Sequence, residues 1–285
     1  MNLIRKITIE EIYSNIETFQ KLSNDDFILS PYFQIPLYDI LKDELCEFYG
    51  YFYENKLVGI IALQIDENYY KFPTYENVNP YQDFIVDNRF RKQFISEILK
   101  DKHFVLFPIL DESPSVKILF EQFNVQKQEF SKIYYLELPK MLEEMIYKSK
   151  KRDELVRILK KYSKSYNFVH VENFDFYELL IKTKMYLLPQ KLQIFVSDLI
   201  SICKTNNFLK LFTIDNEFYF IVFAYKSKAY LWHYELEDEN LKIYGFLKLL
   251  ENLIFENFKT LYIFTDILDI NFPIKSRTTY KIYNL

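Results

Sequence analysis

Near its C-terminus the chain reads FTDILDINFPIKSR (residues 264 to 277), an apolar strand-like run that stops at an acid and passes through a proline into Lys275, Ser276 and Arg277. Lys275 and Arg277 stand two apart, so on an extended segment they share a face. A guanidinium there offers a planar pair of donors to a phosphate or carboxylate. Both side chains read equally well as surface cations near a domain end. Far upstream, Pro80-Tyr81-Gln82 leads into Asp83, and a carboxylate within reach of a reacting group can take its proton. Asp87 fits a plainer job, capping a helix that begins near Asn88, for which Asp83 lies too far back. In AYLWHYELED (229 to 238), period-two alternation sets Tyr230, Trp232 and Tyr234 on one strand face and Leu231 and His233 on the other. Such alternation marks a core more often than a binding cleft.

The same residue types exclude several chemistries. The three histidines, His103, His170 and His233, are scattered over separate segments and form no metal-ligand spacing. Only three glycines occur, Gly50, Gly59 and Gly245, too few for a glycine-rich phosphate cradle. Cys46 and Cys203 stand far apart with no partner pattern, which rules out a disulfide framework and fits a reducing compartment. The net charge of -4 gives no bulk basic field, so any anion site must be local. The N-terminus MNLIRKITIEEIYSN lacks the apolar core of a signal peptide, and no apolar run approaches the ~20 residues that cross a bilayer. A cytoplasmic protein is expected. Aromatics make up 19% of the chain beside heavy use of Lys, Asn and Ile, as A/T-rich codons would give, so their abundance by itself carries no function.

The elements that must position these residues repeat. CEFYGYFY and LVGIIALQ flank Glu54-Asn55-Lys56, and FLKLFTI and FYFIVFAY flank Asp215-Asn216-Glu217. Both read as β-hairpins broken by a short polar turn. After each comes a further strand, then an amphipathic helix, NRFRKQFISEILK or KIYGFLKLLENLIFEN, and a short buried strand, FVLFPIL or LYIFTDI. Before each lie two helical segments, EEIYSNIETFQKL and FQIPLYDILKDEL in the first half, DFYELLIKTKMYL and PQKLQIFVSDLISICK in the second. The order matches the GNAT (acyl-CoA N-acyltransferase) fold, used twice. The expected fold class is therefore α/β, with tandem duplicated GNAT-like units over residues 1–147 and 148–285, each a mixed sheet flanked by helices.

Residues 148 to 164, KSKKRDELVRILKKYSK, carry eight Lys or Arg against two acids. Leu155, Val156, Ile158, Leu159 and Tyr162 make one apolar stripe, so the segment reads as an amphipathic helix with a basic outer face. That face is a solvated connector or the border of a site for an anionic substrate.

These segments carry a family resemblance. KSKKRDELVRILKKYSKSYNFVHVE (148 to 172) resembles the basic helix and strand that join the two units of FemAB-like acyltransferases, particularly the exopolysaccharide-associated and BioF2-like branch. YENVNPYQDFIVD (75 to 87) resembles the family's polar turn, acid and aliphatic strand, and FTDILDINFPIKSR its last motif. The glycine usual after the basic helix is missing, with Ser165, Tyr166 and Asn167 in its place.

The resemblance implies an acyltransferase that moves an acyl group, acetyl first among the candidates, from acyl-CoA to an amine or hydroxyl of a sugar, nucleotide-sugar or cell-envelope precursor. Lys275 resembles a family lysine near the reacting centre, where a cation stabilises the oxyanion of the transition state. Arg277 would hold a phosphate or carboxylate. Asp83 resembles the family acid and is the candidate base, with Tyr81 beside it as a substrate contact. Tyr230 and Trp232 correspond to aromatics lining the acceptor cleft. A CoA pyrophosphate needs the free amides of a helix start. The helix beginning near Asn240-Leu241-Lys242, with Gly245 allowing close approach, is the expected donor site, since Asp87 repels anions at the equivalent place in the first half. No metal is expected.

Two other readings fit the residues. One is a Fem-type aminoacyl transferase using charged tRNA, although the long helical arm of those proteins has no counterpart here. The other is a non-catalytic binding module on the same fold. The acceptor and the oligomeric state are not written in the sequence.

Overall fold

Tight turns in a chain this poor in glycine fall to asparagine, aspartate and glutamate. Glu54 and Asn55 take φ of 49° and 63°, and Asp215 and Asn216 take 52° and 58°, while none of the three glycines has a positive φ. A left-handed pair matches the right-handed twist of the strands it joins, and Asn and Asp visit that region more readily than other non-glycine residues. Both expected hairpins close this way.

The computed structural model describes residues 2–75, 78–138, 152–234, 236, 238–264 and 274–284. These form two compact units, Met1–Lys132 with Arg277–Leu285, and Ile133–Ser276. The division expected between residues 147 and 148 lies outside the described residues. The first unit holds Asn2–Lys6 (β1), Ile9–Ser14 (α1), Ile16–Leu22 (α2), Pro31–Leu41 (α3), Cys46–Tyr53 (β2), Lys56–Asp66 (β3), Tyr69–Lys71 (β4), Ile85–Val86 (β5), Arg91–Ile98 (α4), Val105–Leu110 (β6), Pro114–Gln122 (α5) and the first part of Val125–Glu137 (β7). The second holds the rest of β7, then Arg152–Tyr162 (α6), Phe168–Val171 (β8), Phe176–Lys182 (α7), a 3-10 turn at Met185–Leu187, Gln190–Thr205 (α8), Leu209–Ile214 (β9), Phe218–Tyr225 (β10), Lys228–Tyr234 (β11), Glu239–Phe255 (α9) and Thr260–Ile263 (β12). The last strand, Lys275–Asn284 (β13), returns to the first unit from Arg277 onward.

In the first unit the strand order is β1-β2-β3-β4, with β5 also on β3. Strand periodicity sorts the side chains onto two buried faces. Phe48, Ile60, Ala62 and Ile85 pack with Ile12, Phe19, Ile35 and Tyr38 of α1, α2 and α3. Tyr49, Tyr51, Ile61, Leu63 and Val86 pack with Phe94, Ile95, Ile98 and Leu119 of α4 and α5. A sheet covered on both faces explains why its strands read as near-continuous apolar runs. The helix expected over residues 10 to 22 breaks at Asn15 into α1 and α2. Thr8 and Glu11 start it with a reciprocal capping box.

In the second unit the order is β7-β12-β11-β10-β9-β8, with β11 and β12 parallel. The apolar stripe of α6, with Ile158 and Tyr162 buried, joins α9 against Phe212, Val222, Leu231 and Leu261 of the sheet. The helix expected over residues 175 to 187 stops at Lys182, because Lys184 takes a left-handed conformation (φ 53°) that no α-helix continues through. No helix among the described residues is long and apolar enough to cross a membrane.

Candidate active site

Strand, helix and strand follow one another at β5-α4-β6 in the first unit and at β11-α9-β12 in the second. Parallel pairing brings Gln82 beside Ile109 in the first and aligns Lys228 through Leu231 with Thr260 through Ile263 in the second. In open α/β sheets, ligands enter the crevice beyond the carboxyl ends of such strands. The two crevices differ in what occupies them.

In the first unit it is filled from within. Arg91, at the first position of α4, is 6% exposed. Its guanidinium donates to the Phe84 carbonyl and Ser115 Oγ (both 2.9 Å), the Val86 carbonyl (3.3 Å) and Asn88 Oδ1 (3.1 Å). Asp83 belongs to the same network. Its Oδ1 accepts from the Phe84 amide at 2.7 Å and lies 3.5 Å from Arg91, and its Oδ2 accepts from the Ser113 hydroxyl at 2.5 Å. Both oxygens are engaged in tying β5 to the start of α5. Tyr81 is buried, and its hydroxyl reaches the Asp26 carboxylate at 2.8 Å. The helix start also corrects an expectation. Asp87 does not cap a helix near Asn88, because α4 begins at Arg91. The Asp87 carboxylate instead accepts from the Arg89 amide at 3.0 Å and pairs with its guanidinium at 2.7 Å. That hydrogen-bonded pairing holds its pKa below the usual carboxylate range.

In the second unit the crevice has an aromatic wall. Pairing between β11 and β12 ends at Leu231 and Ile263, where the Phe264 amide makes one more bond to the Leu231 carbonyl (3.0 Å). On the other side of β11, Val222 pairs with Leu231 and Ile221 with His233. The register of β11 on β10 therefore shifts at Trp232, a β-bulge. The bulge also corrects the expected alternation. Tyr230 and Trp232 share a wall, whereas Tyr234 crosses to the other face and stacks on Phe220, 5.8 Å away, in the core that contains Leu231. Tyr230 is buried and stacks on Tyr262 at 5.1 Å; half-buried Trp232 closes the row against Phe223, Phe195 and Phe264 at 5.7, 6.2 and 6.2 Å.

The start of α9 also departs from expectation. It is not acid-free: Asp238 caps it, accepting from the Leu241 amide at 2.8 Å, and Glu239 sits in its first turn, where Lys242 Nζ pairs with it at 2.8 Å. An anion there meets two carboxylates. Gly245 is buried against the sheet. A side chain at that position would come within 2.6 Å of Phe220 Cζ and 2.9 Å of Ile214 Cδ1, so the close approach that glycine allows is between helix and sheet.

At the chain end, Lys275 Nζ lies 2.6 Å from Glu137 Oε1 and Arg277 Nε 3.0 Å from Glu112 Oε1. Glu137 pairs in register with Thr260, the first residue of β12. The Lys275 contact therefore sits three residues, about 10 Å, from the crevice end of β12. Asp266 and Asp269, the acids of the same chain-end stretch, lie outside the described residues.

Burial pushes the Cys46 thiol up to about 12 and raises the Cys203 thiol further, so neither supplies a thiolate. Among the described residues no three His, Cys, Asp or Glu side chains converge as metal ligands would. Arg91 and the bulge at Trp232 had no signal in the sequence. An arginine at a helix start reads as solvent-facing, and Tyr-Leu-Trp-His-Tyr alternates without a break.

No protein-family model matches the sequence, and no curated protein matches it. Solved structures do match in three dimensions. The C-terminal domain of an Agrobacterium fabrum protein assigned as a lysylphosphatidylglycerol synthetase superposes with a TM-score of 0.61 at 8% identity, over 97% of this chain and 92% of that one. FemX superposes with a TM-score of 0.59 at 9% identity, over 99% and 97%. A tandem GNAT protein from the clavulanic acid biosynthesis pathway gives 0.50 at 8% identity, over 100% and 98%. At these identities the likeness is one of fold, and the chain has the GNAT-like acyltransferase fold, a mixed α/β architecture with sheets flanked by helices.

Proposed function

We propose that the protein is an acyltransferase and that transfer takes place at the end of β11 in the second unit. The observation that carries this reading is the aromatic wall of Tyr230, Tyr262, Trp232 and Phe264 at the point where β11 and β12 stop pairing. The donor's acyl carbonyl lies against this wall. As the acceptor nitrogen or oxygen bonds to the carbonyl carbon, the oxygen takes up negative charge. The bond to the leaving group then breaks, and the leaving group takes the proton that the acceptor gives up. Tyr230 and Trp232 keep water from the acyl group. Asp83 and Tyr81 hold the framework of the first unit, and Lys275 pins the last strand through Glu137.

Acyl-CoA is the proposed donor, with an amine or hydroxyl of a sugar or cell-envelope precursor as acceptor. The two carboxylates at the α9 start favour a second reading, an aminoacyl ester donor that brings no pyrophosphate to that helix. Acyl-CoA incubated with amino sugars and sugar alcohols should release free CoA thiol in an acceptor-dependent way. Deacylation of charged tRNA without thiol release selects the second reading, and neither reaction with any acceptor leaves a binding module.

A further inference from the structure

One end of the second unit combines exposed apolar side chains with a basic groove. Tyr177 and Ile181, one turn apart on α7, are 76% and 64% exposed, and Tyr186 and Leu187 in the 3-10 turn are 51% and 67% exposed. The inner side is already served by Leu179 and Met185, which are buried. A helix apolar on both faces is expected to be covered on both, and a cluster of this kind on a surface marks an interaction site. Residues 176 to 194 carry Lys182, Lys184 and Lys191 against Glu178, a positive stretch in a chain of net charge -4.

The second feature lies on α6 and the turn after it. Arg157, Lys160, Lys161 and Lys164 are all exposed and line a shallow groove of about 630 Å³ whose lining includes one acid, Asp153. Spacings of three, four and seven residues put the four cations on one helix face. The turn between β9 and β10 is bonded to a residue next to each feature. Asp215 Oδ1 accepts from the Asn167 amide just beyond α6 at 2.7 Å, and the Asn216 carbonyl accepts from Lys182 at the end of α7 at 2.6 Å.

We propose that this end of the second unit docks on an anionic lipid surface, with Tyr177, Ile181, Tyr186 and Leu187 entering the headgroup boundary and the α6 cations facing lipid phosphates. Apolar side chains or a basic patch alone anchor weakly, and the pairing of both gives stable peripheral binding. Charge complementarity selects lipid over a second copy of this acidic chain, and the apolar cluster selects it over a nucleic acid. The inference holds whatever group the β11 crevice transfers.

The test is co-sedimentation of the whole protein with vesicles of phosphatidylcholine alone or mixed with phosphatidylglycerol, over a range of salt. Binding is expected to the mixed vesicles and to weaken with salt. Tyr177→Ser/Ile181→Ser/Leu187→Ser should lower it by about tenfold or more. Lys160→Gln/Lys161→Gln/Lys164→Gln should lower it on the order of a hundredfold at low salt, at about fivefold per cation. All six side chains are exposed, and a circular-dichroism melt checks that the variants fold. Absence of binding at low salt, or equal binding by both variants, overturns the proposal. So does single-stranded RNA bound in place of vesicles and lost with the three lysines, which makes the surface a nucleic-acid site. Self-association lost with the three apolar residues makes it a contact between copies and overturns it equally.

Discussion

The segments β5-α4-β6 and β11-α9-β12 share the order strand, helix, strand, yet one helix starts on a buried guanidinium and the other on a side-chain cap. In the first unit Arg91 turns back under its own helix and meets carbonyls of Phe84 and Val86 that would otherwise face the crevice. In the second, α9 starts with an ordinary side-chain cap, and β11 carries a bulge at half-buried Trp232 and stays paired with β10 beyond it. A buried guanidinium is tolerable only when hydrogen-bonded all round, and one so satisfied leaves no donors for a ligand. Repeated architecture therefore does not imply repeated chemistry.

Removing the buried guanidinium should have the largest effect. Arg91→Met leaves the half-buried Asp83 without its cation and two carbonyls without a donor, and should cost about 3–5 kcal/mol of stability, read from urea unfolding. A change below about 1 kcal/mol there removes the contrast between the units, since surface substitutions stay within about 0.5 kcal/mol.

The next effect tests the second unit. Trp232→Ala removes the ring that closes the aromatic wall, and turnover should fall about tenfold or more while hydrolysis of the donor rises, since water then reaches the acyl group. Unchanged turnover at a matched melting temperature moves the transfer site away from β11.

Gly245→Ala should destabilise the second unit by about 1–2 kcal/mol, since overpacking against Phe220 outweighs the better helix propensity of alanine. A stabilised variant shows that Phe220 yields and that α9 does not depend on this approach. The smallest change belongs to Lys275→Met. The pair with Glu137 is 47% and 42% exposed, so its loss should cost under about 1 kcal/mol and leave turnover unchanged. A hundredfold loss of turnover with an intact fold places Lys275 at the reacting centre and shifts the site away from β11.

Hairpins and helices were legible because they rest on local rules. The polar triplets at 54–56 and 215–217 announced turns, and the apolar periods of α4, α8 and α9 announced helices. The site was legible only in part. Tyr230 and Trp232 do share a wall, but the alternation that suggested it would have carried Tyr234 with them, and the bulge sends that ring to the opposite face. Lys242 and Gly245 drew attention through a helix start that the sequence placed a residue or more too late, past the cap Asp238 and the first-turn acid Glu239.

What the sequence determined by itself is the tandem α/β plan: side-chain period and turn chemistry are set within a few residues, and a mixed sheet with both faces covered follows once those elements must bury their apolar sides. What the tertiary structure decided is how each of these strand ends is occupied. That depended on Arg91 finding acceptors on β5 and α5, on the register shift at Trp232, and on Lys275 reaching Glu137 at the far end of β12. Each is a contact between residues distant in the chain, whose partners are chosen by strand register and packing and not by residue type or spacing.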